Sequence, residues 1–243
     1  MQGIVLKSQI PLRADKSHRS EMVSQILFGE TYTILDKMDD WLLIKTNYDN
    51  YIGWIDNISY EELNSEQKTF IIRNKYIKAL DRNNLEIIIP AGSAITEPNS
   101  DNFFVINNNI YKISDYCELI KKTSIAESAK YFLNSPYFWG GRTFMGFDCS
   151  GFAQIIYKIN NINIPRDASE QIKHGNAIPI IQEAHEGDLV FFGNEESINH
   201  VGILLSSEKV IHCSGEVKID YIDNTGIFNG KKYTHFLRGI KSY

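Results

Sequence analysis

Residues 140–152 read Gly-Gly-Arg-Thr-Phe-Met-Gly-Phe-Asp-Cys-Ser-Gly-Phe, which is a glycine-rich loop running into a helix that begins at Cys149. The unpaired amides and the dipole at the start of a helix favour an anion. We therefore expect Cys149 to have a depressed pKa and to supply a nucleophilic thiolate. Amides at the same position can stabilise a developing oxyanion. The plain alternative is an inert buried cysteine that packs like alanine.

Patterns on both sides of this loop predict an α+β domain over residues 123–243. Before the loop, Ser124 and Glu127 have the spacing of a helix capping box. After it, apolar side chains recur at helical spacing, and strand-like runs follow. Helices first and an antiparallel sheet second are typical of the α+β class. The helical residues are Phe152, Ile155, Ile156 and Ile159, and the strand-like runs are 188–192, 200–205, 209–213 and 235–240.

The residues before this domain show short strand-like runs separated by turn residues, which is the pattern of small β-barrels. We predict one small β-barrel at residues 1–60 and a second at residues 76–118. Residues 60–75 are polar and lack glycine and proline, so they predict a connecting helix. The strand-like runs are 4–7, 32–35, 41–45 and 51–55 in the first barrel, and 76–80, 86–89, 103–106 and 110–113 in the second.

A thiol nucleophile needs a base and a group that orients the base, and two histidines are candidates. His200 opens one predicted strand and His212 lies inside the next. A three- or five-residue connection would put both on one face of the sheet, whereas a two-residue turn at 207–208 would put them on opposite faces. Gly202 would leave room for the helix that carries Cys149. The other four histidines are expected at the surface: His18, His174, His185 and His235.

The remaining two cysteines are expected to be structural. Cys117 lacks the glycine-rich flanks of Cys149, and Cys213 alternates with His212, which turns its side chain towards the core. The same alternation argues against a metal site built from His200, His212 and Cys213, so we expect no metal. Three scattered cysteines do not make a disulfide framework, and a reducing cytoplasm is the simpler location.

The composition excludes several classes of protein. A net charge of -5 over 243 residues argues against a nucleic-acid partner, because phosphate binding needs a basic face. No apolar run approaches the roughly 20 residues that span a bilayer, and the N-terminal residues lack the pattern of a signal peptide. We therefore expect a cytoplasmic monomer with no membrane partner and no cofactor.

Five segments stand in order along the C-terminal half: Tyr137-Phe-Trp-Gly-Gly, Gly146-Phe-Asp-Cys-Ser-Gly-Phe, Glu186-Gly-Asp-Leu-Val-Phe-Phe, His200-Val-Gly-Ile and Val210-Ile-His-Cys-Ser-Gly. Together they resemble the NlpC/P60 family of cysteine peptidases. The resemblance implies a papain-like fold with a Cys-His-His arrangement. It implies that Cys149 is the nucleophile, His200 the base and His212 the orienting residue. It also implies that Tyr137 lies near the oxyanion.

Three N-terminal segments read Pro11-Leu-Arg-Ala, Ser20-Glu-Met-Val-Ser-Gln-Ile-Leu-Phe-Gly-Glu and Tyr51-Ile-Gly-Trp. They resemble the bacterial SH3-type domain that precedes NlpC/P60 domains in γ-D-glutamyl-L-diamino acid endopeptidases. This resemblance implies cleavage after γ-D-Glu in murein peptides with a free N-terminal L-Ala, such as L-Ala-γ-D-Glu-diaminopimelate. In that group the first barrel closes one end of the cleft, which rejects peptides that continue beyond the amine.

The same resemblance implies a set of substrate contacts. The free amine would be held by Asp148, Tyr51 and Glu21. In the family pattern the Arg-Asp pair is often followed by serine, whereas this chain has Ala168, which has no hydroxyl. The other positions matched to substrate contacts are Ser150, Arg166, Asp167 and Trp139.

These observations predict a cysteine endopeptidase that hydrolyses the bond between γ-D-Glu and diaminopimelate or lysine during recycling of murein peptides. Two alternatives stay open. One is a different hydrolase on the same fold, either an N-acetylmuramoyl-L-alanine amidase or a D,L-endopeptidase acting on intact wall. The other is an inactive module that binds murein peptide. A requirement for a free N-terminal amine would distinguish the predicted endopeptidase from the first alternative. A reactive thiolate at Cys149 would distinguish it from the second.

Overall fold

Several strands in the N-terminal part of the chain bury every second residue, as in Trp41–Thr46 and Phe103–Ile106, because one face of such a strand lies on a core. The computed structural model describes residues 1–117 and 124–243, and the chain divides into two units, Met1–Ile120 and Lys121–Tyr243. The predicted boundaries at residues 118 and 123 lie outside the described residues. In both described parts, no helix is long and apolar enough to cross a bilayer.

The first unit opens with a six-stranded antiparallel sheet in the order β1-β4-β5-β6-β2-β3. Its core includes Ile10, Leu12, Tyr32, Ile44 and Ile55, all fully or almost fully buried. The strands are β1 Gln2–Ile4, β2 Gln9–Arg13, β3 Met22–Leu27, β4 Thr31–Met38, β5 Trp41–Thr46 and β6 Ile52–Asp56.

The connecting helix predicted at residues 60–75 is wrong. A single 3-10 turn at Asn57–Ser59 is followed by extended chain and the short strand β7, Phe70–Ile71. Tertiary hydrogen bonds take the place of helical ones: the Leu63 amide donates to Gln2 O at 3.1 Å and the Asn64 amide donates to Asn107 Oδ1 at 2.8 Å. Although this segment is polar and lacks glycine and proline, hydrogen bonds to residues distant in sequence hold it extended.

The second small sheet of this unit has four strands in the order β11-β12-β8-β9, with β7 and β10 paired beside it. Its core continues into the first sheet, because Phe28 packs edge-on against Phe104 and Tyr111, with ring centroids 6.2 and 5.4 Å away. The strands are β8 Tyr76–Leu80, β9 Glu86–Pro90, β10 Ala94–Ile95, β11 Phe103–Ile106 and β12 Asn109–Tyr116.

The second unit begins with helices, as the sequence predicted. Ser124 caps the first of them by accepting a hydrogen bond from the Glu127 amide at 3.1 Å. The central helix is buried along its whole length from Cys149 to Ile159. The elements are α1 Ile125–Lys130, β13 Arg142–Thr143, β14 Gly146–Phe147, α2 Cys149–Ile159 and α3 Ala168–Gln171.

An antiparallel sheet of seven strands follows, in the order β15-β21-β16-β17-β18-β19-β20, and β20 also pairs with β21. The helix α2 packs on β17 and β18, which are the strands that carry the two candidate histidines. The α+β class predicted for this part of the chain is confirmed. The strands are β15 Asn176–Ile178, β16 Leu189–Gly193, β17 Ile198–Ser206, β18 Lys209–Ser214, β19 Glu216–Ile222, β20 Gly226–Phe228 and β21 Tyr233–Ser242, with a 3-10 turn at Ile181–Glu183.

Candidate active site

The start of α2 is fixed by Asp148, whose carboxylate caps the helix. Oδ1 accepts from the Gly151 amide at 2.6 Å, and Oδ2 accepts from the Gly140 amide at 2.9 Å. A side chain at Gly151 would place its Cβ 2.2 Å from the Gly141 carbonyl oxygen, so the loop packs directly on the first turn of the helix. The glycines of the loop therefore let its backbone pack closely on the first turn of the helix that begins at Cys149.

A buried arginine completes this cap. Arg166 Nη1 donates to Asp148 Oδ1 at 3.0 Å and to Ser150 Oγ at 2.9 Å, while Nη2 pairs with Asp148 Oδ2. The arginine and aspartate side chains are both almost fully buried. Asp148, Ser150 and Arg166, three of the predicted substrate contacts, thus bind one another, and we refer to them as the helix clamp.

The sulfur of Cys149 lies against the backbone of β17 on both sides of His200. The thiol donates to the carbonyl oxygen of Asn199 at 4.0 Å, and the Val201 amide hydrogen-bonds the sulfur. A β-bulge leaves Asn199 as the extra residue between two pairs of β16 and β17, Phe192 with His200 and Gly193 with Ile198. Bulges of this kind re-aim the backbone next to active sites.

Two opposing effects act on the pKa of Cys149. Burial and, to a lesser extent, the Asp148 carboxylate raise the pKa of the thiol and the Val201 amide lowers it by less, so that the pKa comes to about 11. The predicted depression of the Cys149 pKa is therefore wrong for the resting protein. Removal of the sulfur from water outweighs the favourable field at the start of the helix, so the resting side chain is a thiol.

His200 and His212 lie on one face of the sheet, by a route that the sequence did not reveal. The connection between β17 and β18 is the two-residue turn at 207–208, which by itself would put them on opposite faces. A bulge between Leu204 and Ser206 shifts the register, so that Gly202 pairs with His212. His200 Nε2 consequently lies 2.8 Å from His212 Nδ1.

The space beside Gly202 is used by His212, so the prediction that it accommodates α2 is wrong. A Cβ at Gly202 would lie 3.1 Å from the His212 Cβ and 2.6 Å from Val210 Cγ2. The missing side chain lets the His212 ring reach across the sheet to His200.

Two further side chains join the imidazoles, and the sequence analysis missed both. Asp220 Oδ2 lies 3.0 Å from His212 Nε2. The His235 ring stacks on the His200 ring with centroids 4.2 Å apart and an interplanar angle of 25°. His235 is half-buried, so its predicted place at the surface is wrong.

The environment of His200 keeps it uncharged. Burial lowers the pKa of His200 well below its ordinary value, and the neighbouring His212 and His235 lower it further. A neutral imidazole has one nitrogen lone pair that can accept a proton. The resting site therefore holds a protonated thiol and a neutral imidazole.

Tyr137 lies close to the start of α2, because it forms an isolated β-bridge with Phe147, two residues before Cys149. Burial, with smaller contributions from Cys149 and Asp148, raises the pKa of Tyr137 to about 12. The phenol is therefore a hydrogen-bond donor at neutral pH, as a group that stabilises an oxyanion must be.

The other predicted residues occupy varied positions. In the second unit, Trp139 is 60% exposed and Asp167 precedes α3. In the first unit, Tyr51 is half-buried against the core of the first sheet and Glu21 is exposed. The roles of these four residues in binding substrate stay predictions.

The remaining cysteines are both free, and Cys213 is buried. Its thiol donates to Phe147 O at 3.2 Å. It therefore points away from the face that carries His212, as the alternation of the strand predicts. Cys117 is half-buried at the end of the first described part.

A cleft of about 540 Å³ opens beside His200, within the second unit. One wall is the bulged turn after β16, and another is the start of β21, where Phe236 is exposed. The cleft therefore begins at Asn199, whose carbonyl oxygen accepts from the Cys149 thiol, and at the residue that follows it, His200. It is lined by Gly193, Asn194, Asn199, His200, Thr234, His235 and Phe236.

Comparison with known proteins gives independent evidence of the fold and chemistry. Residues 134–238 match the model of the NlpC/P60 family, and residues 12–58 match the model described as the bacterial dipeptidyl-peptidase Sh3 domain. A crystal structure of an NlpC/P60 family protein from Bacillus cereus ATCC 10987 superposes with a TM-score of 0.84 at 19% identity, covering 100% of this chain and 99% of that one. The two proteins therefore share a fold.

Two curated relatives cover most of the chain. Gamma-D-glutamyl-L-lysine dipeptidyl-peptidase of Bacillus subtilis (strain 168) is 29% identical over 217 residues, which are 78% of this chain and 71% of the relative. Dipeptidyl-peptidase 6 of Lysinibacillus sphaericus is 24% identical over 257 residues, 92% of each chain. The chain therefore carries an NlpC/P60 domain preceded by a bacterial dipeptidyl-peptidase SH3 domain, and it is a cysteine peptidase.

Proposed function

We propose that this peptidase hydrolyses the bond between γ-D-Glu and a diamino acid, diaminopimelate or lysine, in murein peptides that begin with a free L-Ala. The observation that carries the chemistry is the contact of the Cys149 sulfur with the backbone on both sides of His200, whose ring lies 2.8 Å from His212. The choice of substrate is supported by the relatives named gamma-D-glutamyl-L-lysine dipeptidyl-peptidase and dipeptidyl-peptidase 6.

In the first half of the reaction, the neutral His200 accepts the proton of the Cys149 thiol as the sulfur attacks the γ-carbonyl carbon. The carbonyl oxygen gains the negative charge, which the amides at the start of α2 and the Tyr137 hydroxyl can stabilise. Collapse of the tetrahedral intermediate breaks the C–N bond. The protonated His200 donates its proton to the departing amine, which leaves a thioester on Cys149.

In the second half, water attacks the thioester and His200 removes its proton. The products are L-Ala-γ-D-Glu, the regenerated Cys149 thiol and neutral His200. His212 keeps the base in place throughout by its hydrogen bond to Nε2 of His200. The helix clamp holds the other side of the sulfur through the first turn of α2.

The test is turnover of L-Ala-γ-D-Glu-L-Lys and L-Ala-γ-D-Glu-diaminopimelate by wild type and by Cys149→Ala. We expect wild type to cleave each peptide only at the bond between γ-D-Glu and the diamino acid, and Cys149→Ala to cleave neither peptide. Cys213→Ala is the matched control, since it removes a thiol that faces away from the histidines, and it should retain activity. Undiminished turnover by Cys149→Ala would show that another residue is the nucleophile.

The free amine is tested with the same peptides acetylated on L-Ala. We expect acetylation to abolish cleavage, because the proposed activity releases a dipeptide from a free N-terminus. Cleavage of the acetylated peptide or of intact wall at a similar rate would instead favour the amidase or the D,L-endopeptidase. Binding without cleavage by wild type would favour the inactive module.

The proposal includes a role in recycling of short murein peptides by a monomer in the cytoplasm. A compartment that keeps thiols reduced suits a peptidase that depends on one thiol. Cell fractionation with an antibody against the chain, and the mass of the purified protein in solution, test location and oligomeric state.

A further inference from the structure

Asp220 lies where its carboxylate can influence His200, the proposed base, through His212. In the pairing of β18 with β19, His212 lies opposite Lys218 and Val210 lies opposite Asp220. Asp220 is therefore on the same face of the sheet as His212 and one step along it. Its Oδ2 is 3.0 Å from His212 Nε2, and its side chain is only 18% exposed.

The hydrogen bond fixes which nitrogens carry protons. The bond to His212 lowers the pKa of Asp220, so the carboxylate is ionised and only accepts. His212 Nε2 must then carry the proton, and in the neutral ring Nδ1 is an acceptor. The 2.8 Å contact from His212 Nδ1 requires His200 Nε2 to be the donor. The lone pair of His200 therefore resides on Nδ1.

We propose that Asp220 is a positioning residue that acts through His212 to hold His200 in the tautomer whose Nδ1 accepts the proton of Cys149. This inference rests on the proposed peptidase reaction and deepens it. Asp220 touches neither the sulfur nor the His200 ring through any described hydrogen bond. Its effect passes through two hydrogen bonds in series, Asp220 to His212 and His212 to His200.

The hydrogen-bond series from Asp220 through His212 to His200 also stabilises the positive charge that forms on His200 during the reaction. When His200 takes the proton it becomes an imidazolium, and its Nε2–H still donates to His212 Nδ1. Polarisation of His212 by the carboxylate strengthens that bond. Lys218 Nζ, 3.8 Å from Asp220 Oδ2, and the rings of His212 and His235 are the other titratable groups that face this pair, and all of them disfavour added positive charge. Asp220 opposes them.

The competing explanation is that Asp220 only stabilises the pairing of β18 and β19. The two explanations differ in the tautomers of the imidazoles, which a purely structural role would not change. Two variants separate the functions of the carboxylate. Asp220→Asn keeps an oxygen acceptor without the charge, whereas Asp220→Leu removes the acceptor and keeps the branching of the side chain.

The first experiment is long-range 15N–1H NMR of the imidazoles in the full chain, which distinguishes protonated from unprotonated ring nitrogens. In wild type we expect both His212 and His200 to be protonated at Nε2 and not at Nδ1. In Asp220→Leu we expect His212 to redistribute towards the Nδ1–H form, which in turn leaves His200 with its proton on Nδ1. Asp223→Asn is the matched control. Asp223 accepts a hydrogen bond from the Tyr233 hydroxyl at 2.6 Å and is not part of the hydrogen-bond series that joins Asp220, His212 and His200.

The second experiment is the kinetics of tripeptide cleavage. We expect kcat to fall about 10-fold in Asp220→Asn and about 100-fold in Asp220→Leu, by analogy with the range for residues that orient a metal-bound histidine through a second hydrogen bond. KM should change little, because Asp220 does not contact substrate. In Asp220→Asn the acidic limb of the pH profile should move to lower pH, since loss of the negative charge makes the imidazolium harder to form.

Wild-type protein with His212 protonated at Nδ1, or an Asp220→Leu variant with wild-type tautomers, would overturn the inference. A kcat of Asp220→Leu equal to that of Asp223→Asn would also overturn it. Should Asp220→Leu fail to fold, the wild-type spectrum and the pH profile of Asp220→Asn still decide the matter: His212 protonated at Nδ1 in wild type, or an unmoved acidic limb in Asp220→Asn, would overturn the inference. Since the tautomers are read without substrate, an enzyme that ignores the tripeptide would contradict the proposed function alone.

Discussion

The two sides of the Cys149 sulfur are built in opposite ways. On the helix side, the clamp of Asp148 and Arg166 is a buried pair of opposite charges, with both carboxylate oxygens accepting hydrogen bonds from the loop, the helix and the guanidinium. On the strand side, His200 and His212 are imidazoles joined by one hydrogen bond. The first is a pair of fixed opposite charges, whereas the second is a hydrogen-bonded chain of imidazoles in which protons can change place.

This difference separates the two requirements of the reaction. A nucleophile has to be held at a fixed point, which fully satisfied ionic hydrogen bonds achieve. A base has to gain and lose a proton, for which neutral imidazoles are suited. We therefore expect damage to the clamp to appear first as lost stability, and damage to the imidazoles to appear as altered rate and pH dependence.

The largest expected effect comes from breaking the clamp. Arg166→Leu leaves the Asp148 carboxylate buried without its ionic partner, which should lower the free energy of unfolding by about 3–5 kcal/mol. Denaturant unfolding followed by circular dichroism measures it. Lys173→Leu is the control: its pair with Glu170 is exposed at 61% and 50%, and exposed pairs contribute little. An Arg166→Leu variant as stable as the control would show that the clamp is not structural.

A smaller effect is expected at His235, where the ring packs on His200. Burial and the neighbouring rings lower the pKa of His200, so His235→Ala should raise that pKa towards its ordinary value. Because the reaction needs neutral His200, the acidic limb of kcat/KM should move to higher pH.

His235→Phe is the matched variant, since it keeps the stacked ring and the burial but cannot carry a charge. Its acidic limb should lie between those of wild type and His235→Ala. Equal profiles for all three proteins would mean that the stacked ring does not influence the base.

The sequence predicted the elements that depend on local pattern. The glycine-rich loop and the apolar spacing after it located the start of α2 at Cys149, and alternation placed Cys213 opposite to His212. These features depend on residues within one or two turns or strands, which periodicity reports directly.

The rest depended on pairings that periodicity does not report. The bulge at Leu204–Ser206 reversed the effect of a two-residue turn, and no composition marks it. His235 reaches His200 because β21 pairs with both β16 and β20, a long-range closure of the sheet. Asp220 could have been found, because Gly215 forms the turn between β18 and β19, and the register counted from it places Asp220 on the face of His212.

The expected pKa of Cys149 failed for a different reason. A helix terminus lowers the pKa of an exposed thiol, but the sulfur of Cys149 is buried under the strand that carries His200. Burial depends on the assembled core, so the balance between the two effects was not readable from the loop.

The most direct test of the central claim is the pH dependence of Cys149 alkylation by iodoacetamide, followed by mass spectrometry in a chain with Cys117→Ala and Cys213→Ala. Since burial raises the pKa of the thiol to about 11, and only the thiolate reacts, the rate should be low near pH 7 and climb steeply towards pH 11. A rate already at its plateau near pH 7 would mean that the resting site holds a thiolate and an imidazolium, and that His200 accepts the proton before substrate arrives.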